Sequence, residues 1–164
     1  MIPTLQIGDH ILVNKFSYGI RLPFAGTTLI PTWLPKQGDV IVFRFPEDES
    51  KDFIKRVIGI PGDILIIKDQ VLYRNGIAQK ESFINIEDDE VLPNTFKIKS
   101  NFGPITVPKD AYFVMGDNRN HSLDSRFWGF VDQSKIKGKA FMIYWSWNAD
   151  ESGVRFNRLG KGIH

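Results

Sequence analysis

The chain has 164 residues, of which 42% are hydrophobic and 13% aromatic. That is enough to bury the core of a single domain and too apolar for a disordered chain. The 21 basic and 19 acidic residues leave a net charge of +2, too balanced to suggest a nucleic-acid partner. There are no cysteines, which excludes a disulfide scaffold, a zinc–thiolate site and a cysteine nucleophile. His10, His121 and His164 are isolated and lack metal-ligand spacing. No apolar run approaches the ~20 residues of a membrane-spanning helix.

In chain order, short runs rich in Val, Ile and Phe predict strands over His10–Phe16, Asp39–Phe45, Phe53–Ile60 and Ile64–Ile67. Turn signals separate them at Gly8-Asp9, Gly38-Asp39 and Pro61-Gly62-Asp63. Asn75-Gly76, between Val71-Leu72-Tyr73 and Ile77, predicts a type I′ hairpin. Later strands are predicted over Ile105–Val107, Ala111–Met115 and Lys139–Trp147, with one short turn of helix over Val131–Ile136. Pro31–Pro35 reads as a loop. The polar stretch Glu81–Lys99, with Glu87-Asp88-Asp89-Glu90 inside it, interrupts the strand pattern. There is no long amphipathic helix, internal repeat or low-complexity tract. The fold class is therefore all-β: antiparallel sheets forming a sandwich or partly open barrel.

Two segments carry the chemistry. Asp52-Phe53-Ile54-Lys55-Arg56-Val57-Ile58-Gly59 places one lysine inside an apolar strand. Strand alternation puts Phe53, Lys55 and Val57 on one face and Ile54, Arg56 and Ile58 on the other. A free lysine, with a pKa of about 10.4, is protonated at neutral pH; burial disfavours the ammonium. A lysine tuned to roughly 7–8 can serve as a general base. The second segment is Gly116-Asp117-Asn118-Arg119-Asn120-His121-Ser122-Leu123-Asp124-Ser125-Arg126. Its carboxylates and guanidiniums suit bidentate pairing: Asp124 with Arg126, and Asp117 with Arg56 from the first segment. Gly116 and Gly129 permit close turns. His121 and Ser122 are adjacent, and neighbouring side chains point apart, so they are not a serine–histidine couple.

These segments resemble the lysine box and the GDNR box of type I signal peptidases. Met1-Ile2-Pro3-Thr4-Leu5 is similar to the end of that family's serine box, Ser-Met-x-Pro-Thr-Leu. Lys36–Pro46 resembles a further box, and Val154–His164 resembles the end of Gram-negative members. The boxes occur in order along nearly the whole chain. The resemblance implies a serine endopeptidase domain over residues 1–164. A short inserted β subdomain is implied at about 68–108. It further implies that Lys55 is the general base, that Ser122 hydrogen-bonds and orients Lys55, and that Asp117, Arg119, Asp124, Arg126 and Arg56 support the site. Family members carry Asp and Asn where this chain has Asn120 and His121.

The family nucleophile immediately precedes the residue that is Met1 here, so it is expected upstream of this sequence. Thr4, the nearest hydroxyl, is not expected to replace it. The polypeptide as written is expected to lack turnover, with the Met1 amine lying near Lys55. The resemblance also implies binding of extended signal peptides by β-augmentation, their small residues entering shallow pockets near Leu5, Phe53, Ile54, Met115 and Leu123. Each of those five residues reads equally well as core. Phe141, Ile143, Trp145 and Trp147 are expected on one strand face, either in the core or as an apolar surface against a membrane. No metal, cofactor or nucleic acid is implied. The implied location is the outer, periplasmic face of the bacterial cytoplasmic membrane. Three alternatives remain open: an inactive fragment that only binds extended signal peptides, a self-cleaving serine–lysine fold, and a small nucleic-acid-binding barrel. The last is disfavoured by the charge.

Overall fold

The computed structural model describes residues 1–18, 20–21, 28–30, 33–84, 101–149 and 152–164. The run Glu87-Asp88-Asp89-Glu90 and the start of the Pro31–Pro35 loop lie outside these residues. The chain is mainly β and its sheets are antiparallel. In order the strands are β1 (Asp9–Asn14), β2 (Ile20–Arg21), β3 (Thr28–Ile30), β4 (Val40–Phe45), β5 (Asp48–Gly59), β6 (Ile64–Lys68) and β7 (Val71–Arg74). They continue with β8 (Ile77–Ala78), β9 (Phe102–Thr106), β10 (Ala111–Met115), β11 (Val131–Asp132), β12 (Ile136–Asn148) and β13 (Gly153–Val154). A single helical turn, α1 (Ser125–Trp128), follows the polar loop.

The main sheet runs β1-β12-β4-β5-β10-β11, with β13 on β12; a second sheet runs β8-β7-β6-β9. β2 and β3 form a separate pair. Alternation along the strands sorts the core into clusters. Ile41, Phe43 and Val57 pack with Tyr112, Val114 and Ile136 on one side. Val40, Ala140 and Ile143 pack with Leu5 and Ile163 in another cluster. Ile58, Phe113 and Met115 pack against Leu65, Ile67 and Leu72 of the second sheet, which joins the two sheets through a third cluster.

Three features depart from the sequence reading. β5 begins at Asp48, because the β4–β5 hairpin extends into residues exposed on both faces, where no apolar alternation marks a strand. Residues 131–136 are a short strand followed by a 3-10 turn over Gln133–Lys135. In β12, the pairing skips Phe141 and Tyr144: Val13 faces Ala140 and Leu12 faces Met142, while Ile11 faces Ile143 and His10 faces Trp145. Each skipped residue is a bulge that turns the following side chains over. Ile143 therefore points into the core at 1% exposure, and does not share a face with the exposed Phe141, Trp145 and Trp147.

The Asn75-Gly76 turn has positive φ at both residues, 51° and 81°, which is the type I′ requirement. The C-terminal segment returns to the N-terminal one. Arg158 donates to Asp9 through Nε (3.0 Å) and to the Thr4 carbonyl through Nη2 (3.0 Å), and Ser146 Oγ donates to Asp9 (2.7 Å). These contacts fix the path of residues 4–9 beside the site.

Candidate active site

Lys55 sits in β5, where the strand changes neighbours. β5 pairs with β4 from Asp48 to Arg56, but with β10 only from Arg56 to Gly59. On the β10 side the edge at Asp52–Lys55 therefore has no strand partner among the described residues. A cleft of about 470 Å³ opens along it, bordered by Met1, Leu5, Phe53, Ile54, Lys55 and Leu123. Four of the five residues expected near substrate pockets thus meet there. The fifth, Met115, does not line the cleft: it is buried in the cluster beneath the second sheet, because β10 directs it inward. Leu5 and Ile54 also contribute to core packing, whereas Leu123 is exposed.

Burial holds the Lys55 ammonium below the usual lysine value. The Asp124 carboxylate opposes that shift, Arg126 adds to it, and Asp117 opposes it. The Met1 amine is likewise held down, first by burial and then by repulsion from Lys55, with Asp117 opposing. Met1 and Lys55 are therefore electrostatic neighbours. The Phe53 ring lies 5.8 Å from the Lys55 nitrogen.

The polar loop is tied down by paired charges. Arg56 donates to Asp117 through Nε and Nη2, both at 2.8 Å, and Nη1 reaches the Gly38 carbonyl at 2.9 Å. Thr4 Oγ1 also donates to Asp117. The one hydroxyl near the start of the chain is therefore committed to this pair and not to Lys55. Arg126 donates to Asp124 through Nε (2.9 Å) and Nη2 (3.0 Å). Asp124 also accepts from the Gly116 and Arg126 backbone amides, capping α1. Four residues are too few to show helical periodicity, so this cap was the available sign of the turn.

Arg119 does not pair with a carboxylate of its own loop. It forks onto Glu81, a residue with no assigned role in the sequence reading. Glu81 lies 38 positions away in a polar stretch, and nothing local marks it as a partner.

The hydrogen bond expected between Ser122 and Lys55 is not formed. Ser122 Oγ is buried and has no hydrogen-bond partner among the described residues. The two groups nevertheless share one space over Gly116. A Cβ there would lie 2.3 Å from Ser122 Oγ and 3.6 Å from Lys55 Nζ. Ser122 is seated by its own turn against Gly116, while the lysine nitrogen arrives on four carbons from β5. Gly116 is needed here because a side chain would fill the space between them. Among the described residues, no group of three or more His, Asp or Glu is placed to hold a metal ion.

The arrangement is a poorly solvated amine and a buried hydroxyl beside an open strand edge, which suits proton abstraction next to an extended peptide. Residues 1–145 match the family model described as signal peptidase, peptidase S26. The chain is 39% identical to signal peptidase I of Pseudomonas aeruginosa, over 98% of this chain and 67% of that protein. It is 38% identical to the probable signal peptidase I-2 of a Synechocystis species, over 88% of this chain and 59% of that protein. The crystal structure of a signal peptidase I from Enterococcus faecalis superposes with a TM-score of 0.54 at 32% identity, covering 65% of this chain and 97% of that one. The strand order, the lysine site and these similarities converge: the chain belongs to the signal peptidase family, peptidase S26, a family of serine-type endopeptidases.

Proposed function

We propose that Lys55 is the general base of a serine–lysine dyad that removes signal peptides from exported preproteins. One observation carries this reading: a buried amine, with no carboxylate partner among the described residues, at the unpaired edge of β5. An extended peptide adding a strand at Asp52–Lys55 would pass its scissile carbonyl close to that amine. The nucleophile this reading requires would have to approach Lys55 from the side on which Met1 lies, since Met1 is the electrostatic neighbour of Lys55 and Thr4 is bound to Asp117. Ser122 orients the amine once a substrate closes the shared space over Gly116. Asp117, Arg119, Asp124, Arg126 and Arg56 hold the loop, and the cleft beside Leu5, Phe53, Ile54 and Leu123 takes small residues before the cut. The second sheet is the family's insert in shortened form.

Type I signal peptidases are membrane-anchored bacterial enzymes. No helix among the described residues is long and apolar enough to cross a membrane. The exposed Phe141, Tyr144, Trp145 and Trp147 support docking of this domain on the outer face of the cytoplasmic membrane.

The test compares residues 1–164 with the same chain extended at its N-terminus by Pro-Ser-Gly-Ser. The extended chain should cleave a signal-peptide substrate, and its Lys55→Met variant should not. Binding without cleavage by the extended chain would leave only the capture of extended peptides. Cleavage that survives Lys55→Met would remove the lysine from the mechanism.

A further inference from the structure

The segment after β8 folds back over the site. Glu81 accepts from Arg119 Nη1 and Nη2, both at 2.6 Å, and the two side chains are only 7% and 6% exposed. Two residues later, the Phe83 ring covers the Arg56 guanidinium at 4.0 Å. The same Arg119 donates from Nε to the Gly116 carbonyl at 3.2 Å, and Gly116 is the residue over which Lys55 and Ser122 meet.

These contacts complete a charge count. The cluster holds Arg56, Arg119, Arg126 and Lys55. Asp117 takes Arg56, Asp124 takes Arg126 and Glu81 takes Arg119, each as a two-pronged pair. Lys55 has no ion-pair partner among the described residues. Asp52, three residues before it in the strand, is bound to Lys137 at the surface. The Met1 amine is the other cationic group against Lys55.

We propose that Glu81 and Phe83 form a clasp that positions the reacting lysine: Glu81 supplies the third carboxylate, so that each of the three arginines faces one of its own and, among the described residues, none is left over to hold a charge on Lys55. Phe83 keeps water from Arg56, and the Glu81–Arg119 fork holds the Gly116 carbonyl, and with it the spacing of Ser122 and Lys55. This inference rests on the reading of Lys55 as the base, and its test does not require cleavage.

Residues 1–164 labelled with 13C-lysine give the Lys55 titration midpoint directly by NMR. Glu81→Gln leaves a buried guanidinium uncompensated beside Gly116, which should lower the midpoint by roughly half a unit. A purely structural role predicts the opposite sign, because a loosened loop admits water and lets the lysine rise. Glu81→Gln/Arg119→Gln removes both charges and should return the midpoint to the parent value. An unmoved or raised midpoint in Glu81→Gln, or a double variant that stays shifted, overturns the proposal. If Glu81→Gln alone does not fold, the double variant decides: folded with the parent midpoint supports the clasp, and unfolded or shifted refutes charge balance as its basis. Failure of the Ser-extended chain to cleave would count against the peptidase reading and leave this measurement intact.

Discussion

Asp117→Ala removes the carboxylate that receives the Arg56 fork. Both side chains are essentially inaccessible, at 1% and 0% exposure. The guanidinium would keep the Gly38 carbonyl, a long contact to the Thr4 hydroxyl and the Phe83 ring, and Thr4 would lose its acceptor. Breaking a buried ion pair from one side costs about 3–5 kcal/mol, because the remaining charge stays desolvated. Native stabilities are only about 5–15 kcal/mol, so this is a large fraction of the whole. For a chain of this size each kcal/mol moves the melting temperature by about 2–4 °C, so Tm should fall by about 6–20 °C. Thermal melts followed by circular dichroism, with urea titrations to confirm an unchanged m-value, measure the loss. Replacing both partners with apolar residues, Arg56→Met/Asp117→Leu, should recover most of it, since neither charge is then buried. A single variant within about 1 kcal/mol of the parent would refute the reasoning, because it would mean that water reaches Arg56.

Three other outcomes are expected. Gly116→Ala drives a methyl to 2.3 Å from Ser122 Oγ and 2.7 Å from Ser122 Cβ; a loss of about 1–3 kcal/mol in denaturant melts is expected, partly relieved by adding Ser122→Gly. Lys55→Met should stabilise the protein at neutral pH. Burial lowers the folded value of Lys55, so the unfolded chain binds the extra proton, and parent stability is fully present only above the unfolded value of about 10.4 and is lost as pH falls through the folded one. The difference between the two proteins, measured by urea titration, should therefore shrink as pH rises toward 10; a constant difference would contradict a lysine held down by burial. Trp145→Ser/Trp147→Ser should weaken sedimentation with anionic vesicles several-fold without changing Tm by more than a few degrees, as both rings are about 40% exposed.

Much of the site was written locally. Lys55 stands between apolar neighbours in a strand, and the Asp124–Arg126 pair spans two positions, so short-range geometry was enough to anticipate both. The Arg56–Asp117 pair was legible because the two segments carry complementary forks. Glu81 was not, because its partner is set by how the chain leaves the second sheet. The missing Ser122–Lys55 bond is a matter of where two separate backbones stop. Sequence offers a hydroxyl and an amine, and packing over Gly116 decides whether they touch.

The residue order by itself determined the strand periods, the tight turns and the family, since these depend on neighbours a few positions apart. Tertiary packing decided which side of β12 each residue faces, because two bulges reset a two-residue period that cannot be followed past an unseen insertion. It also decided that Arg158 would grip Asp9 across 149 positions, and that Ile163 would lie in the core beside Leu5. Such contacts arise from the closure of the whole sheet, where burial selects partners that no local window contains.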